Sequence, residues 1–431
     1  QYDLQKRALL IDTPQFKQSQ AVYDKGGKLR HYFLQDAIGS TRMRFDFDDN
    51  DHLIHEEGDV QHTYCCDSLH NRIAKNHISH MTNGLHQLTW NGEWSFRYDQ
   101  VGNLKSKEKK DNKTLYHYDA LDRLISVETG NEKWCYVYDA FNRRVAKIKD
   151  HQTTRYLYIG QDEVGAIDKS GNIQELRILG QGHGAEIGAA IAIELQNKVF
   201  VPSHDFRGNI VALSDLSGQL IESYRYTTFG ETTIYNPERE KIATSAVGNQ
   251  WQFSSKRLDE ESGLIYFGRR YYDPINGRWI TSDPAGLSDG PNLYAYLHHR
   301  PVQTFDLYGL QEEPYYPLQN VDYHDREPVQ QTEESKHNQE APLGFVEQKK
   351  GKKDRMFFFG INQIADVGIS WMNGIMNSLK DSSVTAKALS EMADDHYVTF
   401  VYNQSRGFIA DMVRCFFELY FYAQTPAVKN L

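Results

Sequence analysis

Cysteine is scarce in this sequence, and its four copies are poorly placed for cross-linking or for binding a metal. The 431-residue chain has Cys65 and Cys66 side by side, with Cys135 and Cys415 far away. A disulfide framework needs more cysteines, and a zinc site needs spaced ligand pairs such as Cys-x-x-Cys, of which the sequence has none. We therefore expect neither a disulfide scaffold nor a metal centre.

Positive charge and long apolar runs are also lacking. The chain has 48 Lys and Arg against 58 Asp and Glu, for a net charge of −10. Nucleic-acid binding over a large surface needs a basic face, so we expect no nucleic-acid partner for the main body of the chain. The most apolar long stretch, 356–376, is interrupted by polar residues, so no transmembrane segment is expected. The first residues show no signal-peptide pattern, and without an initiator methionine the sequence is interpreted as a piece of a longer protein.

Aromatic residues, by contrast, are abundant and follow a repeat. A Tyr-Asp pair occurs at 98–99, 118–119 and 138–139, with a fixed spacing of 20, and weaker copies begin at Phe47 and Cys66. Alternating aromatic residues precede each pair, and a turn rich in Gly, Asn or Asp follows it. This pattern predicts a ribbon of β-hairpins that pack on one another, in which each repeated Asp caps the backbone amides of its turn.

A glycine-rich stretch at 180–184 has the sequence Gly-Gln-Gly-His-Gly. It fits neither the dinucleotide-binding nor the phosphate-binding glycine pattern, since no Lys-Ser/Thr follows and no helix clearly begins after it. We interpret it as a flexible turn and expect no cofactor.

The repeats resemble YD/RHS repeats, and two later stretches, 255–274 and 276–287, resemble the RHS-associated core. The resemblance implies a mainly β fold, in which the hairpin ribbon spirals into a shell that the core closes. It divides the chain into a shell fragment at 1–240 and a core at 241–310. A polar linker at 311–354 and a small α/β segment at 355–431 follow.

This family includes polymorphic toxins, toxin-complex C components and teneurin-like surface proteins. The resemblance therefore implies a secreted or cell-surface protein whose C-terminal segment is cargo held inside the shell. Further partners implied are a secretion apparatus or a preceding part of the shell.

The family resemblance also implies self-cleavage. Its pattern is two copies of Asp-Pro-x-Gly-Leu about 18 residues apart, with the cut after the second leucine. Here the copies are Asp283-Pro-Ala-Gly-Leu287 and Asp306-Leu-Tyr-Gly-Leu310. Asp283 and Asp306 would be the catalytic pair, and the scissile bond would join Leu310 to Gln311.

Such a pair has a chemical rationale. Two carboxyls held close together can share a proton, so one can act as a base toward water while the other polarises a carbonyl. Gly309 lets the backbone approach the pair, and Arg278 is a candidate for charge support. The departure from the pattern is Leu307, which stands where the family has proline and would loosen the local geometry. Turn chemistry alone explains both aspartates equally well, so a purely structural role stays open.

The last 121 residues differ in character from the rest. Residues 311–347 hold nine acidic residues and four prolines, which is typical of a linker. Apolar strands are predicted at 356–359 and 397–402, with helices near 364–380, 382–392 and 406–422, and this order favours a parallel sheet. The segment weakly resembles the opening of an α/β-hydrolase-like toxin domain, but the chain ends before any nucleophile serine of that fold.

Three functions therefore remain open. The first is a toxin-type shell protein that cleaves itself after Leu310. The second is a non-cleaving YD-repeat scaffold, and the third is an effector whose hydrolase domain is truncated. Only the peptide bond at 310–311 separates the first from the second.

Overall fold

The computed structural model describes residues 1–3 and 7–315, and beyond them only two strands, at 356–359 and 398–401. The chain forms two units, Gln1–Val321 and Asp322–Leu431, which are described separately. The predicted domain limits at 240, 310 and 354 remain predictions.

The first unit begins with a sheet of eight strands in sequential order, each antiparallel to the next. Its strands are β1 (Ile11–Asp12), β2 (Phe16–Tyr23), β3 (Leu29–Asp36), β4 (Ser40–Phe47), β5 (Leu53–Glu57), β6 (Gln61–Cys66), β7 (Arg72–Lys75) and β8 (Ile78–Ser79).

A second sheet continues the same up-and-down order and curls into a barrel. Its strands are β9 (Met81–Thr82), β10 (Leu88–Trp90), β11 (Ser95–Tyr98), β12 (Leu104–Lys109), β13 (Asn112–Tyr118), β14 (Leu124–Thr129), β15 (Glu132–Tyr138), β16 (Arg144–Lys149), β17 (Gln152–Ile159), β18 (Asp162–Ile167), β19 (Ile173–Leu179), β20 (Ala190–Leu195), β21 (Lys198–His204), β22 (Ile210–Asp215), β23 (Leu220–Tyr226), β24 (Thr232–Tyr235) and β25 (Lys241–Ile242). The predicted mainly β fold is confirmed.

The Tyr-Asp repeats form hairpin turns, as the sequence predicts. In the turn after β13, Asp119 Oδ1 accepts hydrogen bonds from the amides of Leu121 and Arg123, at 2.9 and 3.1 Å. The turns at Asp99 and Asp139 repeat this arrangement. The carboxylate satisfies amides that the tight turn leaves without a backbone partner, which is why aspartate recurs there.

The repeated tyrosines join consecutive hairpins. The hydroxyl of Tyr118 donates to the carbonyl of Leu104 at 2.9 Å, and Tyr138 donates to Leu124 in the same way at 2.8 Å. Each bond reaches back 14 residues to the adjacent strand, which is the second strand of the preceding hairpin. The ring fills the space between strands while its hydroxyl finds a buried acceptor, which is the arrangement that a half-buried tyrosine favours.

The core segment, residues 243–315 after the barrel, is short-stranded and densely buried. It contains the sheet β26 (Arg257–Asp259), β27 (Leu264–Tyr266), β28 (Tyr271–Asp273) and β29 (Arg278–Trp279), and the hairpin β30 (Thr304–Asp306) and β31 (Glu312–Pro314). Short 3₁₀ turns lie at Phe253–Ser255, Gly286–Asp289 and Leu297–His299.

Aromatic side chains from this segment pack against both large sheets. Trp279 and Tyr296 belong to one buried cluster with Tyr32 and Phe45 of the first sheet. Tyr271 belongs to a second cluster, with aromatic residues of the Tyr-Asp repeats. Burial of large rings is the main stabilising contribution available here, so the segment acts as a common core for both sheets.

In the second unit, β32 (Met356–Phe359) and β33 (Val398–Val401) match the two predicted strands. They pair antiparallel, with Met356 opposite Val401, so the predicted parallel arrangement is wrong for this pair. The long connection between them permits either orientation, and strand order alone did not decide it. The three predicted helices, and the resemblance to a hydrolase domain, lie outside the described residues.

Candidate active site

Asp306 ends β30 and begins the turn that holds the predicted scissile bond. Its Oδ1 accepts hydrogen bonds from the amides of Tyr308, Gly309 and Leu310, at 3.1, 2.6 and 3.1 Å. The cap resembles those of the Tyr-Asp turns but uses three amides. It ties the residue whose carbonyl would be attacked directly to one of the two predicted catalytic carboxyls.

Asp283 follows β29, and a single buried arginine brings it together with Asp306. Arg270 Nη2 lies 2.7 Å from Asp283 Oδ2 and 3.8 Å from Asp306 Oδ2. All three side chains are almost fully buried. Both aspartates therefore lie within ion-pair distance of one guanidinium nitrogen, and Asp283 is the nearer of the two.

Burial sets the protonation chemistry of the pair. It raises the pKa of Asp306 to about 6, although Arg270 and the three turn amides oppose the shift. Burial also raises the pKa of Asp283, again against the pull of Arg270. In both carboxyls, burial outweighs the opposing effect of Arg270 and makes the protonated form more favourable than in water.

The carbonyls that precede the predicted scissile bond are each held by a donor from the core segment. Lys256 Nζ donates to Leu307 O at 2.5 Å, and the amide of Arg269 donates to Tyr308 O at 2.9 Å. Arg270 Nε donates to Gly309 O at 2.5 Å. Among the described residues, no donor contacts the carbonyl of Leu310. Hydrogen bonds therefore hold the turn up to the predicted cut, whereas the carbonyl at the cut accepts none from the described residues.

Gly309 lies in a backbone conformation and a space that both disfavour a side chain. Its φ is +79°, and a Cβ there would lie 3.2 Å from the backbone nitrogen of Arg270 and 3.3 Å from the Cβ of Phe267. A side chain would thus face both an unfavourable backbone conformation and close contacts.

The arginine that lies against both aspartates is Arg270, whereas Arg278, the predicted candidate for charge support, contacts other residues. Arg278 Nη2 donates to the carbonyl of His86, and its guanidinium lies over the ring of Tyr294. Arg278 therefore helps to dock the core segment on the sheet. Local sequence features do not distinguish the two arginines, because the choice depends on which strand end faces the aspartates.

Lys256 is a second residue that sequence reasoning missed. It is 1 % exposed, and its Nζ lies 3.1 Å from Glu186 Oε1 as well as on Leu307 O. A buried lysine needs such partners to stay charged. Its hydrogen bond to Leu307 O restrains the backbone at the position where leucine replaces the expected proline.

No cluster of His, Cys, Asp or Glu in the described part of the chain is arranged to hold a metal ion. Over the same residues, no helix has the length and apolar character needed to span a bilayer.

The family model for the teneurin YD-shell matches residues 1–314. The chain belongs to the teneurin YD-shell family. This YD-shell chain is also 31 % identical over 169 residues to a protein named toxin subunit YenC1, from Yersinia entomophaga. That match covers 37 % of this chain and 17 % of the relative.

Two further similarities concern larger proteins. A tRNA3(Ser)-specific nuclease WapA from Bacillus spizizenii is 31 % identical over 123 residues, which cover 28 % of this YD-shell chain and 5 % of the relative. The crystal structure of TcdB2-TccC3 aligns with a TM-score of 0.46 and 18 % identity, covering 72 % of this chain and 19 % of that one. In each comparison the matched part is less than a fifth of the other chain.

Proposed function

We propose that this YD-shell chain is a toxin-type protein that cleaves itself after Leu310, with Asp283 and Asp306 as the catalytic pair. The observation that carries the proposal is the shared guanidinium of Arg270, which contacts both carboxyls while Asp306 also holds the amide of Leu310. An aspartate that served only as a turn cap would need no second carboxyl beside it.

The proposed reaction assigns one proton-transfer role to each carboxyl. Asp283, in direct ion contact with Arg270, is the ionised partner and takes a proton from a water molecule. The water oxygen attacks the carbonyl carbon of Leu310, and the protonated Asp306 gives its proton to the carbonyl oxygen. When the C–N bond breaks, the proton held by Asp283 passes to the nitrogen of Gln311, and one of the two hydroxyls on the former carbonyl carbon returns its proton to Asp306. The products are a carboxyl group on Leu310 and an amine on Gln311.

The substitution of leucine for the family's proline at 307 does not argue against this chemistry. Proline would restrict the backbone next to Asp306, but here Lys256 and Arg269 hold the two following carbonyls in place. Hydrogen bonds from Lys256 and Arg269 thus restrain the backbone of the turn, as the proline ring would otherwise do. This supports a preorganised site, which is what such catalysis requires.

The rest of the proposal concerns the segment after the cut. Residues 311–431 would be the cargo of a secreted or cell-surface toxin, as the names of the toxin subunit and nuclease relatives suggest for related chains. Partners would be this segment itself and a preceding part of the shell or a secretion apparatus.

The test is the intact mass of the purified full chain under denaturing conditions. We expect two fragments, split between Leu310 and Gln311, in the wild type and a single chain in both Asp306→Asn and Asp283→Asn. A matched control is Asp215→Asn, which removes the charge from an exposed turn cap far from the pair and should leave cleavage unchanged.

A single chain in the wild type after long incubation at acidic and neutral pH would overturn the proposal. It would favour the second candidate, a non-cleaving YD-repeat scaffold. One observation supports that candidate: Asp306 caps its turn in the same manner as Asp119 and Asp215, so its carboxylate also has a purely structural use.

A further inference from the structure

The residues immediately after the predicted cut are built into the core segment. β31 pairs antiparallel with β30, with Glu312 opposite Asp306 and Pro314 opposite Thr304. Hydrolysis at 310–311 would break one covalent bond in the turn and leave this pairing intact. The new end would remain attached by whatever holds β31.

Glu312, the second residue after the cut, is held by charge. Its Oε1 forms an ion pair with Arg300 and lies 3.2 Å from His298 Nδ1. Its Oε2 accepts a hydrogen bond from Thr304 Oγ1 at 3.2 Å. The neighbouring Glu313 is exposed and forms no ion pair with any described residue, so the two adjacent glutamates differ sharply.

Tyr315, the fifth residue after the cut, is held by three rings. The centroid of its ring lies 5.1 Å from Phe305, 5.3 Å from His183 and 5.7 Å from Phe206. Its amide donates to the carbonyl of Gln303 at 3.0 Å. Tyr315 is half-buried, and the loss of solvent around its hydroxyl raises the pKa of that group.

The glycine-rich turn at 180–184 provides one wall of this ring pocket. His183 Nε2 contacts the carbonyl of Phe206 at 2.8 Å, which orients the imidazole toward Tyr315. A Cβ on Gly182 would lie 2.3 Å from the carbonyl oxygen of Ile187, so only glycine allows the turn to close this tightly. The turn thus has a packing role that its sequence did not reveal.

We infer that Glu312 and Tyr315 form a non-covalent latch that keeps the start of the cleaved segment bound to the core. The latch recognises an extended strand with a carboxylate at its second residue and an aromatic ring at its fifth. This inference rests on the proposed cleavage after Leu310. The cut product is then a two-chain protein whose second chain is still docked, and release requires a separate event that opens the latch.

Hydrogen exchange of the full chain, followed by mass spectrometry, tests the latch at the amides of Glu313 and Tyr315. The experiment compares the wild type with the uncleavable Asp306→Asn chain. We expect equal protection in both, because the latch does not depend on the 310–311 bond. Loss of the ring in Tyr315→Ala, or of the charge in Glu312→Gln, should speed exchange at these amides on the order of tenfold.

Two matched controls separate the latch from general loosening. Tyr315→Phe keeps the ring, and Glu313→Gln alters the adjacent exposed glutamate, so both should leave exchange unchanged. Fast exchange in the cleaved wild type with protection in Asp306→Asn would overturn the inference, as would an unchanged rate in Tyr315→Ala. If mass measurement under denaturing conditions shows no cleavage but the variants exchange as expected, the proposed self-cleavage is wrong, while the latch formed by Glu312 and Tyr315 is supported.

Discussion

The exposed hairpin turns at Asp168 and Asp215 and the buried turn at 306–310 use the same residue for the same local task. In both, an aspartate Oδ1 accepts the amides of the residues that follow it. At Asp215 and Asp168, a side-chain hydrogen bond is the largest influence on the carboxyl, and it lowers the pKa below its usual value. At Asp306 burial dominates and raises the pKa to about 6. One turn motif, moved from the surface to the interior, changes from a permanent anion into a group that can carry a proton.

The largest effect that would sharpen this contrast is the pH dependence of cleavage. If Asp306 must be protonated, half of the chains are active at pH 6 and about one in a hundred at pH 8, so the rate at pH 8 should be about fiftyfold below that at pH 6. The measurement is the rate of fragment formation by denaturing mass across pH 4 to 9. A rate that is flat from pH 6 to pH 8 would separate cleavage from the raised pKa of Asp306.

Removing the shared cation should shift that profile. Arg270 lowers the pKa values of both aspartates, so Arg270→Gln should move the midpoint on the alkaline side upward by about one unit and slow cleavage. Arg270→Lys keeps the charge and should shift the midpoint less. Near-ultraviolet circular dichroism checks that both variants retain native packing, and an unmoved midpoint in a folded Arg270→Gln chain would contradict the electrostatic role.

A third comparison uses two equivalent glycines, each three residues after its aspartate. Gly218 has a φ of +85° and no atom within 4 Å of a built Cβ, whereas Gly309 has a φ of +79° and contacts at 3.2 and 3.3 Å. Gly218→Ala should cost about 1 kcal/mol in the free energy of unfolding, for the backbone conformation alone. Gly309→Ala should cost about 1–3 kcal/mol more because of the added crowding. Urea unfolding measures both, and equal losses would show that the buried turn can relax.

The smallest expected effect is on the free energy of unfolding, and its sign should differ between Asp306→Asn and Asp215→Asn. Because the pKa of Asp306 is raised, its contribution to stability is present below the unfolded pKa and is lost as pH rises through about 6. At pH 8, Asp306→Asn should therefore leave stability unchanged or slightly increased. Asp215→Asn should lower it, because a lowered pKa means that the folded state favours the charged form. Thermal unfolding of both variants at pH 8 and pH 5 checks the signs, and a clear loss at pH 8 in Asp306→Asn would contradict the burial argument.

The repetitive part of the fold was predictable because its information is local. Alternating rings and a turn aspartate specify each hairpin without reference to the rest of the chain, and the turns at Asp99, Asp119 and Asp139 are confirmed. The pairing of Asp283 with Asp306 came from a family pattern and not from spacing alone. Arg270, Lys256 and the pocket around Tyr315 were missed, because each depends on segments that tertiary packing brings together over long sequence distances. The choice between Arg270 and Arg278 is the clearest case, since both lie close to Asp283 in sequence.

The backward-reaching tyrosine bonds bear on how the molecule is assembled during synthesis. Tyr118, Tyr138 and Tyr158 each bond to a strand that has already been made, so every hairpin can add to its predecessor as the chain leaves the ribosome. The segment that carries Arg270 and both aspartates follows the strands of both large sheets in the chain and packs against them. A cut at Leu310 would therefore be made only in a chain whose earlier strands had already paired.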